Sequence, residues 1–107
     1  MENVKLELEQ GVLKVNLLSS RIEGEYSIFD AINDFYAEKN EKVRKVVFNF
    51  EKIEYINSLG IAEFISTIRF FSEVDEIIKF KFINVEKRIA KIFKMMELNT
   101  VADIDTK

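Results

Sequence analysis

The 107-residue chain has no cysteine, no histidine, no proline and no tryptophan, and only three glycines. Without cysteine there is neither a disulfide nor a thiol nucleophile, and without histidine the commonest metal ligand and the commonest general base are both missing. An enzyme would have to work with carboxylates, lysines or tyrosines alone, so a binding role is expected in place of a catalytic one. Gly11, Gly24 and Gly60 stand far apart and build no loop that could cradle nucleotide phosphates, and no cofactor is expected. No linker rich in proline, glycine and serine divides the chain, and no internal repeat is visible, so residues 1–107 read as one domain. The 16 basic and 19 acidic residues are interspersed, giving a net charge of -3 and no basic block that could follow a phosphate backbone. Nucleic acid is therefore not an expected partner. No apolar run approaches the ~20 residues needed to cross a bilayer. The charged start, Met1 to Lys5, lacks the apolar core of a signal peptide. No membrane insertion and a cytoplasmic location are expected.

What is present is a sequence of alternating and helical periods. Val4, Leu6 and Leu8 alternate with Lys5, Glu7 and Glu9, and the period returns after Gln10-Gly11 in Leu13, Val15 and Leu17, which predicts a hairpin. A polar stretch from Ser19 to Glu25 follows. Ile28, Phe29, Ile32, Phe35 and Tyr36 then share one side of a helix. Val46, Phe48 and Phe50 predict a central strand, and Ile61, Phe64, Ile65, Ile68 and Phe71 a second helix beginning near Ser58. Ile78, Phe80 and Phe82 predict another strand, Val85, Ile89, Ile92, Phe93 and Met96 a third helix, and Val101 to Ile104 a last short strand. Strands covered by helices on both faces read as nearly continuous apolar runs, and these alternate. The expected class is α/β: a mixed sheet of four to five strands with helices packed mainly on one face.

The junction Ile56-Asn57-Ser58-Leu59-Gly60 carries the functional reading. A hydroxyl at a helix entrance can cap the helix, which is worth about 1 kcal/mol, or accept a phosphate. A phosphate on Ser58 would add about two negative charges at the positive end of the helix dipole, where the fold tolerates them and a docked partner does not. Gly60 costs the first helical turn up to about 1 kcal/mol relative to alanine. Its missing side chain admits either another backbone close to Ser58 or close packing of the helix on its own sheet.

These residues resemble a family, the STAS domains, whose members include bacterial anti-sigma factor antagonists, and the order of elements is similar along nearly the whole chain. The family's Asp-Ser-Ser/Thr-Gly-aliphatic signature corresponds to Asn57, Ser58, Leu59, Gly60 and Ile61, and its Gly-x-Leu-Asp stretch, more loosely, to Ser20, Arg21, Ile22 and Glu23. The resemblance implies that Ser58 is phosphorylated by a partner anti-sigma factor serine kinase. The unmodified protein would bind that kinase and free the sigma factor, phosphorylation would release it, and a cognate phosphatase would reset the cycle. Glu23, Asn57, Ser58, Leu59, Gly60, Ala62 and Glu63 would then form the partner-binding face. Asn57 replaces the usual acidic residue and Leu59 the usual second hydroxyl, which leaves a second reading: a non-phosphorylated STAS scaffold or transporter-accessory subunit.

Phe29, Phe35, Phe64 and Phe71 are expected in the core, with Phe70 beside the stripe as an exposed contact residue. Met95 and Met96 are expected to supply adaptable packing. The pairs Lys79/Lys81 and Lys87/Arg88 have acidic neighbours in sequence and are expected to lie on solvated faces.

Overall fold

A computed structural model describes residues 3–24 and 27–107; of the residues named above, Met1, Glu2 and Glu25 lie outside it. The hairpin forms where the alternation places it, with β1 (Val4–Glu9) antiparallel to β2 (Val12–Leu17). Gln10 and Gly11 both turn through positive φ, 53° and 82°, the backbone twist that a two-residue hairpin loop needs. Beyond it come β3 (Arg21–Ile22), α1 (Ile28–Lys39), β4 (Lys45–Asn49), β5 (Tyr55–Ile56), α2 (Ser58–Val74), β6 (Lys79–Val85), α3 (Lys87–Met95), a single 3-10 turn at Leu98–Thr100, and β7 (Asp103–Thr106).

β1, β2, β4, β6 and β7 form one five-stranded sheet in that order, antiparallel at the hairpin and parallel thereafter. Register lines up Leu6, Val15, Phe48, Phe82 and Ile104 in one row across the sheet, and Leu8, Leu13, Val46 and Phe80 in the next. The central members of these rows are buried, whereas Glu7, Lys14, Val47, Lys81 and Asp103 form a row on the opposite face that stays partly or fully exposed. One face is therefore dry and covered by the helices and the other is wet, as the alternation requires. On the wet face Asn84 Nδ2 donates to Asn49 Oδ1 at 3.0 Å and Asn49 Nδ2 to Asn16 Oδ1 at 3.2 Å, which ties three strands together.

Phe48, Phe50, Phe64, Phe82 and Phe93 fill the dry side, each fully buried, with Phe48 stacked on Phe82 at 4.7 Å and Phe64 edge-on to Phe48 at 5.3 Å. Phe70, expected at the surface, is half-buried because its ring meets Phe29, Tyr36 and Phe71 edge-on at 5.1 to 6.1 Å across the contact between α1 and α2. The third helix also differs from expectation. Val85 ends β6, and the arc of α3 facing the sheet is Ile89, Ala90 and Phe93, which leaves Ile92 and Met96 at the rim, 38% and 46% exposed, and Met95 at 76%. The methionines thus supply surface instead of packing. The last strand begins two residues later than expected, since the 3-10 turn precedes it and Val101 is exposed.

Phe82 touches Phe48, Phe50, Phe64 and Phe93, so Phe82→Ala opens a cavity that no neighbour can fill alone. A loss of about 3–5 kcal/mol is expected in urea unfolding, and a loss below about 1 kcal/mol would contradict this packing.

Candidate functional site

The site lies at the ends of the parallel strands where their chains leave for the helices, the usual location for ligand and partner sites in open α/β sheets. Here β3 and β5 pair in parallel as a two-residue sheet, Arg21 beside Tyr55 and Ile22 beside Ile56. The strand pair continues into α2 because Asn57 N donates to the Ile22 carbonyl at 3.1 Å. So short a pair leaves no periodicity, and it was not legible in the stretch from Ser19 to Glu25.

Asn57, not Ser58, is the N-cap of α2: its backbone is extended, and its Oδ1 accepts from Gly60 N at 2.9 Å. Its Nδ2 donates to the Glu23 carbonyl at 3.3 Å, so one amide side chain caps the helix and clamps the loop that leads to α1. An aspartate could do only the first. Ser58 is consequently the first residue of the helix itself, exposed, and its hydroxyl has no hydrogen bond among the described residues. The plain cap role falls to its neighbour.

Gly60 is buried, and the reason is internal. A Cβ there would lie 2.6 Å from the Ile22 carbonyl oxygen, 2.8 Å from Ile22 Cγ2 and 2.9 Å from Ile56 Cγ1. Of the two explanations for this glycine, packing of the helix on its own strands is the one the geometry supplies. Gly24, at φ +84°, serves Leu59 in the same way, since a Cβ would stand 2.6 Å from Leu59 Cβ. Leu59 nonetheless remains 63% exposed.

Ala62 follows Ser58 one turn later on the exposed side. Glu63 turns away to α1, where its Oε1 accepts from Phe29 N at 2.9 Å and supplements the Ser27 cap, whose hydroxyl accepts from Asp30 N at 3.0 Å. A carboxylate at that helix entrance also faces the positive end of the dipole. Glu23 is held by Arg21, whose Nε and Nη2 donate at 3.2 and 3.1 Å, and the Arg21 guanidinium lies over the Tyr55 ring at 4.2 Å. The face thus presents Ser58, Leu59, Ala62 and the Arg21–Glu23 pair, while Asn57, Gly60 and Glu63 build it from beneath.

Two contributors escaped the sequence reading. Tyr55, 41% exposed, and Ile92 line a groove of about 240 Å³ between β5 and α3 that continues the face toward the third helix. Nothing in the local pattern marks Tyr55, and Ile92 counted as core because helical spacing alone does not locate the edge of the buried arc. At the far wall of the groove Glu86 caps α3, accepting from Arg88 N and from Arg88 Nε. The Arg88 guanidinium holds the Glu86 carboxyl below the usual carboxylate range.

No protein-family model and no curated protein matches the sequence. Solved structures match the fold. SpoIIAA, an anti-sigma factor antagonist, in its unphosphorylated form is similar at a TM-score of 0.69 and 17% identity over 97% of this chain and 89% of that one. The Bacillus cell fate determinant SpoIIAA in its phosphorylated form gives 0.67 and 16% over 97% and 92%. The protein tm1081 of Thermotoga maritima, assigned as an anti-sigma factor antagonist, gives 0.70 and 10% over 99% and 88%. The chain has the STAS fold of these antagonists.

Two substitutions test this construction. Gly60→Ala gains about 1 kcal/mol of helix propensity. It meets a backbone oxygen that cannot step aside, so a net loss of about 1–3 kcal/mol is expected in chemical denaturation. A net gain would show that the approach is looser than described. Asn57→Ala is expected to lose about 1–2 kcal/mol and Asn57→Asp a smaller amount, since the carboxylate keeps the cap but not the donor to Glu23. An aspartate variant as stable as the parent would leave the amide donor without a role.

Proposed function

We propose that this chain is a phosphorylation-switched binding module of the anti-sigma factor antagonist kind, acting in the cytoplasm on a serine kinase anti-sigma factor. Ser58 is the acceptor. The observation that carries the reading is the division of labour at the α2 entrance: Asn57 takes the cap, so the exposed Ser58 hydroxyl is left with no structural task among the described residues. The unmodified face, with Leu59, Ala62 and the Arg21–Glu23 pair around Ser58, docks the kinase. Transfer of a phosphoryl group from ATP to Ser58 Oγ, with ADP leaving and the hydroxyl proton lost, adds about two negative charges at the centre of that face. The helix dipole and the absence of acidic side chains in the first turn of α2 let the fold carry this charge, whereas a partner packed on it must desolvate it or leave. A phosphatase restores the docking form. The structural similarity to SpoIIAA in both unphosphorylated and phosphorylated forms supports a scaffold that keeps its shape through the modification.

A second reading is a STAS scaffold or transporter-accessory subunit that is never modified. It draws on Asn57, whose amide has a sufficient structural reason in the Glu23 carbonyl, and on Leu59 in place of a second hydroxyl. No described helix is long and apolar enough to cross a membrane.

The readings separate on incubation with the cognate anti-sigma kinase and ATP. Intact mass should rise by one phosphate, mapped to Ser58 and absent in Ser58→Ala, and Ser58→Asp should weaken kinase binding by about tenfold or more, each tenfold being 1.4 kcal/mol. A complex that survives both variants unchanged would favour the scaffold.

A further inference from the structure

α1, α2 and α3 each connect neighbouring parallel strands, so they lie side by side in that order on one face of the sheet, with their N-termini at the end that carries Ser58. The two outer helices carry opposite charge. On α1, Asp30, Asp34 and Glu38 recur at four-residue intervals and are all exposed. On α3, Lys87, Lys91 and Lys94 recur at intervals of four and three and are likewise exposed. Among the described residues none of the six forms an ion pair. Of the charged residues next to them in sequence, Lys39 Nζ lies over the Phe35 ring at 5.4 Å and Arg88 pairs with Glu86 at 2.9 Å.

Within each row like charges a turn apart repel; Lys87 and Glu38 oppose their helix dipoles, whereas Asp30 and Lys94 sit at the ends that favour them. A counter-charged surface would relieve both helices, and this chain carries the matching surface for each.

We infer that the two rows are the halves of one self-association surface whose occupant is a second copy of the chain. Stacking two helix layers about a two-fold axis parallel to the helices sets α3 of each protomer against α1 of its partner, twice, with N-termini at the same end. Lys87 then faces Asp30 of the partner, Lys91 faces Asp34 and Lys94 faces Glu38. A two-fold axis across the helices would set acid on acid and base on base, so charge selects the first arrangement. Met95, 76% exposed beside Lys91, adds apolar area to the contact. Exposed ion pairs are individually weak, so the dimer is weak and sensitive to salt.

Sedimentation equilibrium tests this on the intact chain. The mean mass should rise from 12.6 kDa toward twice that value with concentration. The association constant should fall about tenfold or more between 0.1 and 1 M salt, as the screening length drops from about 10 to about 3 Å. The triple variants Lys87→Glu/Lys91→Glu/Lys94→Glu and Asp30→Lys/Asp34→Lys/Glu38→Lys should each be folded by circular dichroism and monomeric alone. Mixed, they should pair with each other, because each now carries the charge the other lacks. A parent chain monomeric at millimolar concentration, association indifferent to the reversals, or folded variants that fail to pair would overturn the inference. So would a parent chain that stays monomeric while its lysine row binds vesicles of phosphatidylglycerol.

Discussion

The distance between the Ile22 carbonyl and the Cα of Gly60 sets the geometry of the Ser58 end of the molecule. At that point α2 comes nearer to β3 than any side chain would allow, since a Cβ would stand 2.6 Å from a backbone oxygen. The closeness lets Asn57 reach in both directions, to Gly60 N along the helix and to the Glu23 carbonyl across the loop. Once Asn57 holds the cap, Ser58 is carried onto the surface. Had the helix begun one residue later, the serine would have been the cap and the exposed hydroxyl would have been lost.

The same end shows how a short polar segment gains definition from its surroundings. β3 and β5 are two residues each and could not persist alone, but Ile22 and Ile56 are buried beneath α2 and anchor the pair to the main core. Glu63 then crosses from α2 to the start of α1, so the two helices that flank the face are fixed to each other at their entrances. Such a frame suits the proposed switch, in which the face gains charge without reshaping.

The one-sided sheet places all three helices in a single layer, and this has a consequence for charge. Each helix buries one arc and exposes the other, so the acidic row of α1 and the basic row of α3 end at opposite flanks of one surface. A net charge of -3 hides this separation, because the sum contains no geometry. Helical periodicity sorts the charges into rows: Lys87, expected on a solvated face, is exposed together with Lys91 and Lys94, and its acidic neighbour Glu86 is engaged with Arg88.

Alternation of Val46, Phe48 and Phe50 against Lys45, Val47 and Asn49 was enough to establish a strand with one dry face, and the stripes at Ile28–Tyr36 and Ile61–Phe71 enough to establish the helices that cover it. These are local periods, written in the chain by the need to bury one side of each element. The position of Ser58 at a helix entrance was legible for the same reason, and so was the STAS-like order of elements. Tertiary contacts alone decided what the Asn57 amide donor meets, why Gly60 has no side chain, how Glu63 is employed, and that Tyr55 and Ile92 border the face. Each of these depends on the approach of segments up to 37 residues apart, such as Tyr55 and Ile92 across one groove. Spacing along one segment determines which side of it is apolar; only the packed fold determines what the other side meets.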